Sequence, residues 1–327
     1  MIQSVSFILL ILLLPFQVSI AQKIISEEYP KAVKKQTIPW TTDWSTDDKQ
    51  IATGGDDSLL RIYNSKNIAL VKTYAIKSMI RQVKWHPKKL NIIAVATNDD
   101  QSIILNTVTG DTILLKGITY GARAIGWNYN GELLATADNV GLVKIWNLKG
   151  SLLKTIKKED SNSYFSLDWH PTKNILAVSG DNVRLIDTSG VTLTTIKHRK
   201  ENTGILAIRW HPSGEFFATG DYGQDNEGIK SIIQFWKADG TLIKTLQGSN
   251  AEYRNIQWNK EGSRLASASD ALRIWDKNGQ LLYTGKSEDL LWGIDWNSKS
   301  KQIVTTSIEG HVKLWTERAK LVKETAD

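Results

Sequence analysis

The chain has 327 residues, 41% hydrophobic and 23% charged, an ordinary globular composition that excludes a disordered chain. It holds no Cys, which excludes disulfides, thiolate metal sites, a cysteine nucleophile and a lipid-modified cysteine together. The formal net charge of +7 is spread over 41 basic and 34 acidic residues, and its densest cluster, Lys197-His198-Arg199-Lys200, is one loop, not the basic stripe of a nucleic-acid binder.

Residues 1–22 carry no charged side chain. Val5 to Leu14 is apolar apart from Ser6, Pro15 follows, and small residues at 19 and 21 satisfy the small-x-small rule for signal peptidase. An apolar run of about ten residues is half of what a spanning helix needs, and Pro15 interrupts any longer one. The expected organisation is a signal peptide over 1–21, a lead-in over 22–37 and a folded body over 38–327. No Lys or Arg precedes the apolar run, so a retained membrane anchor is the competing reading. A leader ending in Ala21-Gln22 resembles those of Gram-negative exported proteins, which implies a periplasmic or secreted product.

Beyond the leader one Trp recurs, at Trp44, Trp85, Trp127, Trp169, Trp210, Trp258 and Trp296, with intervals of 41, 42, 42, 41, 48 and 38 residues by subtraction. Each ends a short alternating run such as Gln82-Val83-Lys84-Trp85, and three continue as Trp-His-Pro, at 85–87, 169–171 and 210–212. About eight residues later comes a second strand, as in Leu134-Ala135-Thr136. A third follows and ends on an aromatic in the clearest cases, as in Val143-Lys144-Ile145-Trp146, and then a fourth, as in Leu152-Leu153-Lys154-Thr155-Ile156. Period-two alternation with Gly, Asn and Asp between runs predicts strands throughout. The unit is therefore a four-stranded antiparallel meander of about 42 residues, repeated seven times. The expected class is all-β, a seven-bladed propeller, with the repeated Trp residues between sheets.

This pattern resembles the WD-repeat family, whose units end in Trp-Asp after the third strand. Only Trp275-Asp276 keeps that dipeptide, and the Gly-His pair expected before the first strand is missing from every unit. The family's Asp-His-Ser-Trp hydrogen-bond network is therefore not expected. Acidic residues before the third strand persist at Asp57, Asp99, Asp181, Asp270 and Glu309. For closure of the ring, Lys320–Lys323 is favoured over Lys31–Lys35.

The search for chemistry yields little. No phosphate-cradling loop, nucleophile elbow or His-Glu-x-x-His occurs, so neither an enzyme nor a cofactor is expected. His86, His170 and His211 occupy equivalent turns on separate units, too far apart to share an ion. An insertion in the fifth unit brings Asp221, Asp225 and Glu227 into one turn; these offer oxygens to Ca²⁺, without the spacing of an EF-hand loop.

In WD-repeat proteins the residue four before the first-strand Trp commonly sits at the mouth of the central channel. In this chain that set is Trp40, Arg81, Arg123, Phe165, Leu206, Arg254 and Trp292, with Tyr164 and Tyr253 adjoining two of them. Arg and Trp are common binding hot spots, and guanidinium groups pair with carboxylate or phosphate. The resemblance implies an exported, non-catalytic scaffold, a monomer or subunit of a complex. Its partner would be an acidic protein or peptide held at the mouth. The alternatives are a propeller enzyme or Ca²⁺-binding propeller, and a membrane-anchored scaffold.

Overall fold

A meander with apolar residues on both faces has two faces to cover, and radial packing against like sheets covers both. The structure, a computed structural model, describes residues 37–325 except 119, 158–162 and 202. The leader, its cleavage site and Lys31–Lys35 lie outside the described residues. Among those described, seven separate four-stranded antiparallel sheets follow one another in chain order, each pairing its strands consecutively. Their first strands are β1 (Pro39–Trp44), β5 (Ile80–Trp85), β9 (Ala122–Trp127), β13 (Ser166–Trp169), β17 (Ile205–Trp210), β21 (Asn255–Trp258) and β25 (Leu291–Trp296). Each lies beside the next around a circle, and β25 returns to β1. The last sheet takes its fourth strand, β28 (Leu321–Glu324), from the C-terminal segment, as the spacing after Trp315 predicts.

The core is divided among the seams. Each of seven buried clusters joins side chains of two adjacent blades: Leu60 and Ile62 meet Trp85 and Val95, and Trp44 and Ile51 meet Val304 and Leu314 across the closing seam. All seven repeated Trp side chains are buried, each between its own blade and the preceding one. Truncating one such indole to Ala costs about 3–5 kcal/mol, which makes the seams the main store of stability.

One polar clasp crosses each seam near the residue preceding the Trp. In three seams the indole N–H of Trp127, Trp169 or Trp296 donates to the carbonyl of Lys84, Gly126 or Gln257, at 3.2, 2.9 and 3.0 Å. In three others the residue before the previous Trp is Asp, and its carboxylate accepts the main-chain N–H of Trp85, Trp210 or Trp44. Those bonds, to Asp43, Asp168 and Asp295, are 2.6, 2.7 and 2.7 Å long. The seventh is Arg209 to Asn255, 2.9 Å. In the four seams without an indole clasp, the Nε1 atoms of Trp44, Trp85, Trp210 and Trp258 have no acceptor. A side-chain clasp has replaced theirs.

The Trp-His-Pro turns add a second latch. Nε2 of His86, His170 and His211 lies 3.0, 3.2 and 2.8 Å from the carbonyl of Gly131, Gly214 and Gly262 on the next blade. Each ring also packs 4.8 Å from that blade's Trp. Only the Nε2–H tautomer donates to a carbonyl, so Nδ1 is bare, and it accepts backbone N–H groups of its own turn, such as Lys89, Lys173 and Ser213. A Cβ on Gly131 would meet the imidazole of His86 at 2.3 Å, which explains glycine at that turn.

Burial pushes all three imidazoles below the usual histidine range. A folded value below the unfolded value of about 6.5 means that the unfolded chain binds more protons, so stability falls as pH drops through about 6.5. Asp43 has the opposite sign. Burial, opposed by Lys84 and reinforced by Asp295, raises it to about 6. Its protonation therefore favours the folded state as pH falls from about 6 towards about 4. Burial raises Asp168 as well, so the two signs mix in the net slope and the His part is read by difference. In thermal melts between about pH 7.5 and about pH 5.5, the midpoint of the unaltered protein should fall relative to that of a variant with all three His changed to Gln. An unchanged slope in that triple variant would clear the latches of any part in it.

Candidate functional site

Residues Trp40, Arg81, Arg123, Phe165, Leu206, Arg254 and Trp292 line one cavity of about 90 Å³ at one end of the channel. A local irregularity puts several of them there. Strict alternation would give the residue four before the Trp the same side of the strand as the Trp. In β1, β5, β9 and β17 the register slips by one residue at that point, so Trp40, Arg81, Arg123 and Leu206 are each the extra residue of a β-bulge. Bulges re-aim a side chain, and here the result is a ring of seven around the opening.

Tyr253 does not belong to that ring. It is 0% exposed and packs with Ala207, Phe235 and Ile256 inside the seam between the fifth and sixth blades. Residues adjacent on an extended chain point to opposite sides, so Arg254 at the mouth sends Tyr253 into the core. Tyr164, beside Phe165, is likewise buried in a seam. Spacing along the sequence also gives no sign of Arg209, which reaches the same cavity from below. Its guanidinium donates to Ser166 Oγ (3.2 Å), the Ile208 carbonyl (2.6 Å) and Asn255 Oδ1 (2.9 Å), joining three blades as a floor.

Four guanidinium groups thus share one cavity. Three lie over aromatic faces: Arg81 is 4.9 Å from the Trp40 ring, Arg123 4.6 Å from Phe165 and Arg254 4.6 Å from Trp292. Trp40 and Trp292 themselves meet at 4.3 Å. Arg254 is neutralised by Glu252, 2.9 Å away. Among the described residues, Arg81 and Arg123 have neither an acidic partner nor a protein acceptor for any N–H. Burial, with repulsion from the neighbouring guanidinium groups, lowers Arg81 to about 10 and Arg123 to about 9, so both stay charged at neutral pH. The Nε1 atoms of Trp40 and Trp292 and the Nε of Arg81 are buried without acceptors.

The fifth blade corrects two sequence expectations. Its turn holds an Asp-His-Thr-Trp chain of the kind that the missing Gly-His pair argues against. Trp236 Nε1 donates to Thr219 Oγ1 (3.1 Å), Thr219 Oγ1 faces His198 Nδ1 (3.1 Å), and His198 Nε2 lies 3.3 Å from Asp221 Oδ2. His198 is hard to see in the sequence because Lys197 precedes it instead of Gly, and because the insertion lengthens the turn after Asp221. Asp221 is also the wrong choice for a calcium ligand. It is fully buried and accepts from Arg199 (2.9 Å), Thr203 (3.1 Å) and the Ile232 N–H (2.7 Å). Burial opposes its ionisation, yet the nearby His198 ring and the bonds from Ile232 and Arg199 hold it below the usual carboxylate range. The insertion closes on itself through reciprocal Gln224–Ile229 backbone bonds around a single turn at Asp225–Glu227, and Glu227 is exposed. Among the described residues no group of three or more His, Asp or Glu comes together to hold a metal.

Comparison with known proteins agrees with this geometry. Residues 190–227 and 279–316 match the family model of the WD domain, G-beta repeat, and the first of these spans contains His198, Thr219 and Asp221. Residues 34–185 match the model described as eukaryotic translation initiation factor eIF2A. The chain is 25% identical over 303 residues to the intraflagellar transport protein 80 homolog of Mus musculus, covering 86% of this chain and 37% of that protein. To the SIR4-interacting protein SIF2 of Saccharomyces cerevisiae it is 21% identical over 282 residues, covering 80% and 49%. Against nuclear distribution protein PAC1 of Coccidioides posadasii it is 31% identical over 184 residues, covering 47% and 36%. It spans less than half the length of each of these relatives.

If the Asp221 network is structural, Asp221→Ala should destabilise the protein by about 1–3 kcal/mol, because the buried Ile232 N–H and Thr203 hydroxyl lose their acceptor. Adding Ca²⁺ or a chelator should leave the melting temperature of the unaltered protein unchanged. A calcium-dependent rise in that temperature would restore the ion to the site.

Proposed function

The chain belongs to the WD-repeat family, and on that footing we propose that it is a non-catalytic interaction platform. In this reading it holds an acidic protein or peptide partner at the mouth of its channel. The supporting observation is the pair Arg81 and Arg123. Stacking on Trp40 and Phe165 accounts for the faces of these two guanidinium groups. It does not account for their edges, where ten N–H donors meet no protein acceptor among the described residues. A plug built only to fill the channel has no need of charged donors left unmet, each of which costs free energy when water is excluded. A carboxylate docking edge-on satisfies donors from both at once, while the neighbouring indoles cover the apolar part of its carrier. The names of the relatives, which speak of transport and of interaction with another protein, support a protein partner.

The double variant Arg81→Ala, Arg123→Ala tests this cleanly, because neither residue has a protein hydrogen bond to lose. Arg254 is less suited, since its removal strands Glu252. Affinity purification from native cells should recover partners with the unaltered protein and lose them with the double variant. Each truncation should cost about 2 kcal/mol of binding, the scale of an interface hot spot. Binding should also lose part of its salt dependence. Recovery of the same partners at unchanged affinity by the double variant overturns the proposal.

Export is part of the same proposal and rests on the uncharged apolar leader. N-terminal sequencing of the protein from fractionated cells should begin at Gln22, in the soluble extracytoplasmic fraction. Intact Met1 in the membrane fraction would make the segment an anchor instead.

A further inference from the structure

We infer that the group the mouth is built to receive is a phosphate monoester dianion, with Arg209 as the floor beneath it. This rests on the mouth being the binding site proposed above.

The donors outnumber what a carboxylate can accept. Arg81 and Arg123, which both line the cavity, together carry ten N–H groups without protein acceptors among the described residues. A carboxylate has two oxygens and accepts about four hydrogen bonds. A phosphate monoester presents three strong acceptor oxygens and so answers more of these donors, which come from adjacent first strands, β5 and β9. Charge favours the same group. Arg81, Arg123, Arg209 and Arg254 line one cavity; the carboxylate of Glu252 pairs with Arg254, and the buried carboxylate of Asp168 opposes the charge of Arg209. A single carboxylate would leave one of the two remaining charges, Arg81 and Arg123, unopposed, whereas a phosphate monoester brings a charge of about −1.5 to −2 at neutral pH.

Shape narrows the class further. A cavity of about 90 Å³ admits one compact head and not a folded surface. The facing rings of Trp40 and Trp292, across from Phe165, leave an apolar collar for the stem that carries it. A nucleic-acid phosphodiester carries one charge per group and is held by a long basic stripe, and the basic residues of this chain form none. Arg209 is fixed by three hydrogen bonds to three blades, so it supplies positive charge at the floor with no side-chain freedom left to lose on binding.

The test titrates the full mature chain with three probes, followed by calorimetry and by the fluorescence of Trp40 and Trp292 in the cavity wall. The probes are a short alanine peptide with one central phosphoserine, the same peptide with Glu at that position, and inorganic phosphate. The phosphoserine peptide should bind at least about tenfold more tightly than the Glu peptide at about pH 7.5. That margin should shrink at about pH 5, below the second phosphate pKa of about 6. Arg209→Gln should reduce the margin and leave the Glu peptide little changed, whereas Arg81→Ala should weaken both peptides. Inorganic phosphate reports whether the head alone suffices or the apolar collar contributes. Equal affinity for the two peptides, both weakened by Arg81→Ala, overturns the dianion and leaves the mouth as a carboxylate site. No binding by either peptide, or binding indifferent to Arg81→Ala, removes the mouth reading itself and this inference with it. Should Arg209→Gln prove unstable, Arg123→Ala, which loses no protein hydrogen bond, decides whether the margin depends on the excess guanidinium charge.

Discussion

Every blade of this protein carries apolar side chains on both faces, so none is covered until a neighbour lies against each side. Stability is therefore a property of the seams, and a linear stack would leave two faces wet. The closing seam is where that constraint is met. Trp44, Ile51 and Ile68 of the first blade pack with Val304, Val312 and Leu314 of the last. Asp295 accepts the Trp44 N–H, and Asp48 accepts the N–H and hydroxyl of Ser298, across some 250 positions of sequence. Contacts so distant in the chain return their energy only after the whole circle is formed, which makes folding depend on complete closure.

Along each first strand the structure divides the labour by position. The Trp fills the seam, and the residue before it lies at the level of the clasp. The residue four before it has no such duty and in four blades is pushed out by a bulge. Once the clasps hold adjacent first strands together, the ring at the mouth is free to carry side chains that the seams do not require. That freedom explains how Arg81, Arg123, Leu206 and Phe165 can occupy equivalent places without harm to the fold.

Much of this was legible in the sequence, for a physical reason. A large side chain that must sit in every seam imposes its spacing on the chain, so the recurrence of Trp gives the blade number, and the resemblance to WD repeats adds the mouth positions. What stayed hidden depends on parity or on contacts between blades. Tyr253 reads as a mouth residue beside Arg254, yet alternation sends it inward. Arg209 reads as an interior position, yet its length carries the guanidinium to the channel floor. His198 is hidden by a non-glycine neighbour. Where no such His is present, the acidic residue near the third strand finds a cation in that strand instead: Arg61 pairs with Asp57, Lys144 with Asp138 and Arg273 with Asp270. Those cations sit inside strands that read simply as alternating, so nothing in spacing alone marks them as replacements.

Buried donors without acceptors are rare in native proteins, and where they fall separates structure from function. The unmet indoles of Trp44, Trp85, Trp210 and Trp258 are scattered one to a seam, and each has a side-chain clasp beside it that explains the loss. The unmet donors of Trp40, Trp292 and Arg81 are gathered on one cavity, next to Arg123, which lacks any protein acceptor among the described residues, and no clasp accounts for them. Gathering them there also sets like charges against each other, which lowers the stability of the empty ring. A fold braced at every seam tolerates that local cost. Sites that break a local rule without a structural return are where function is expected to lie.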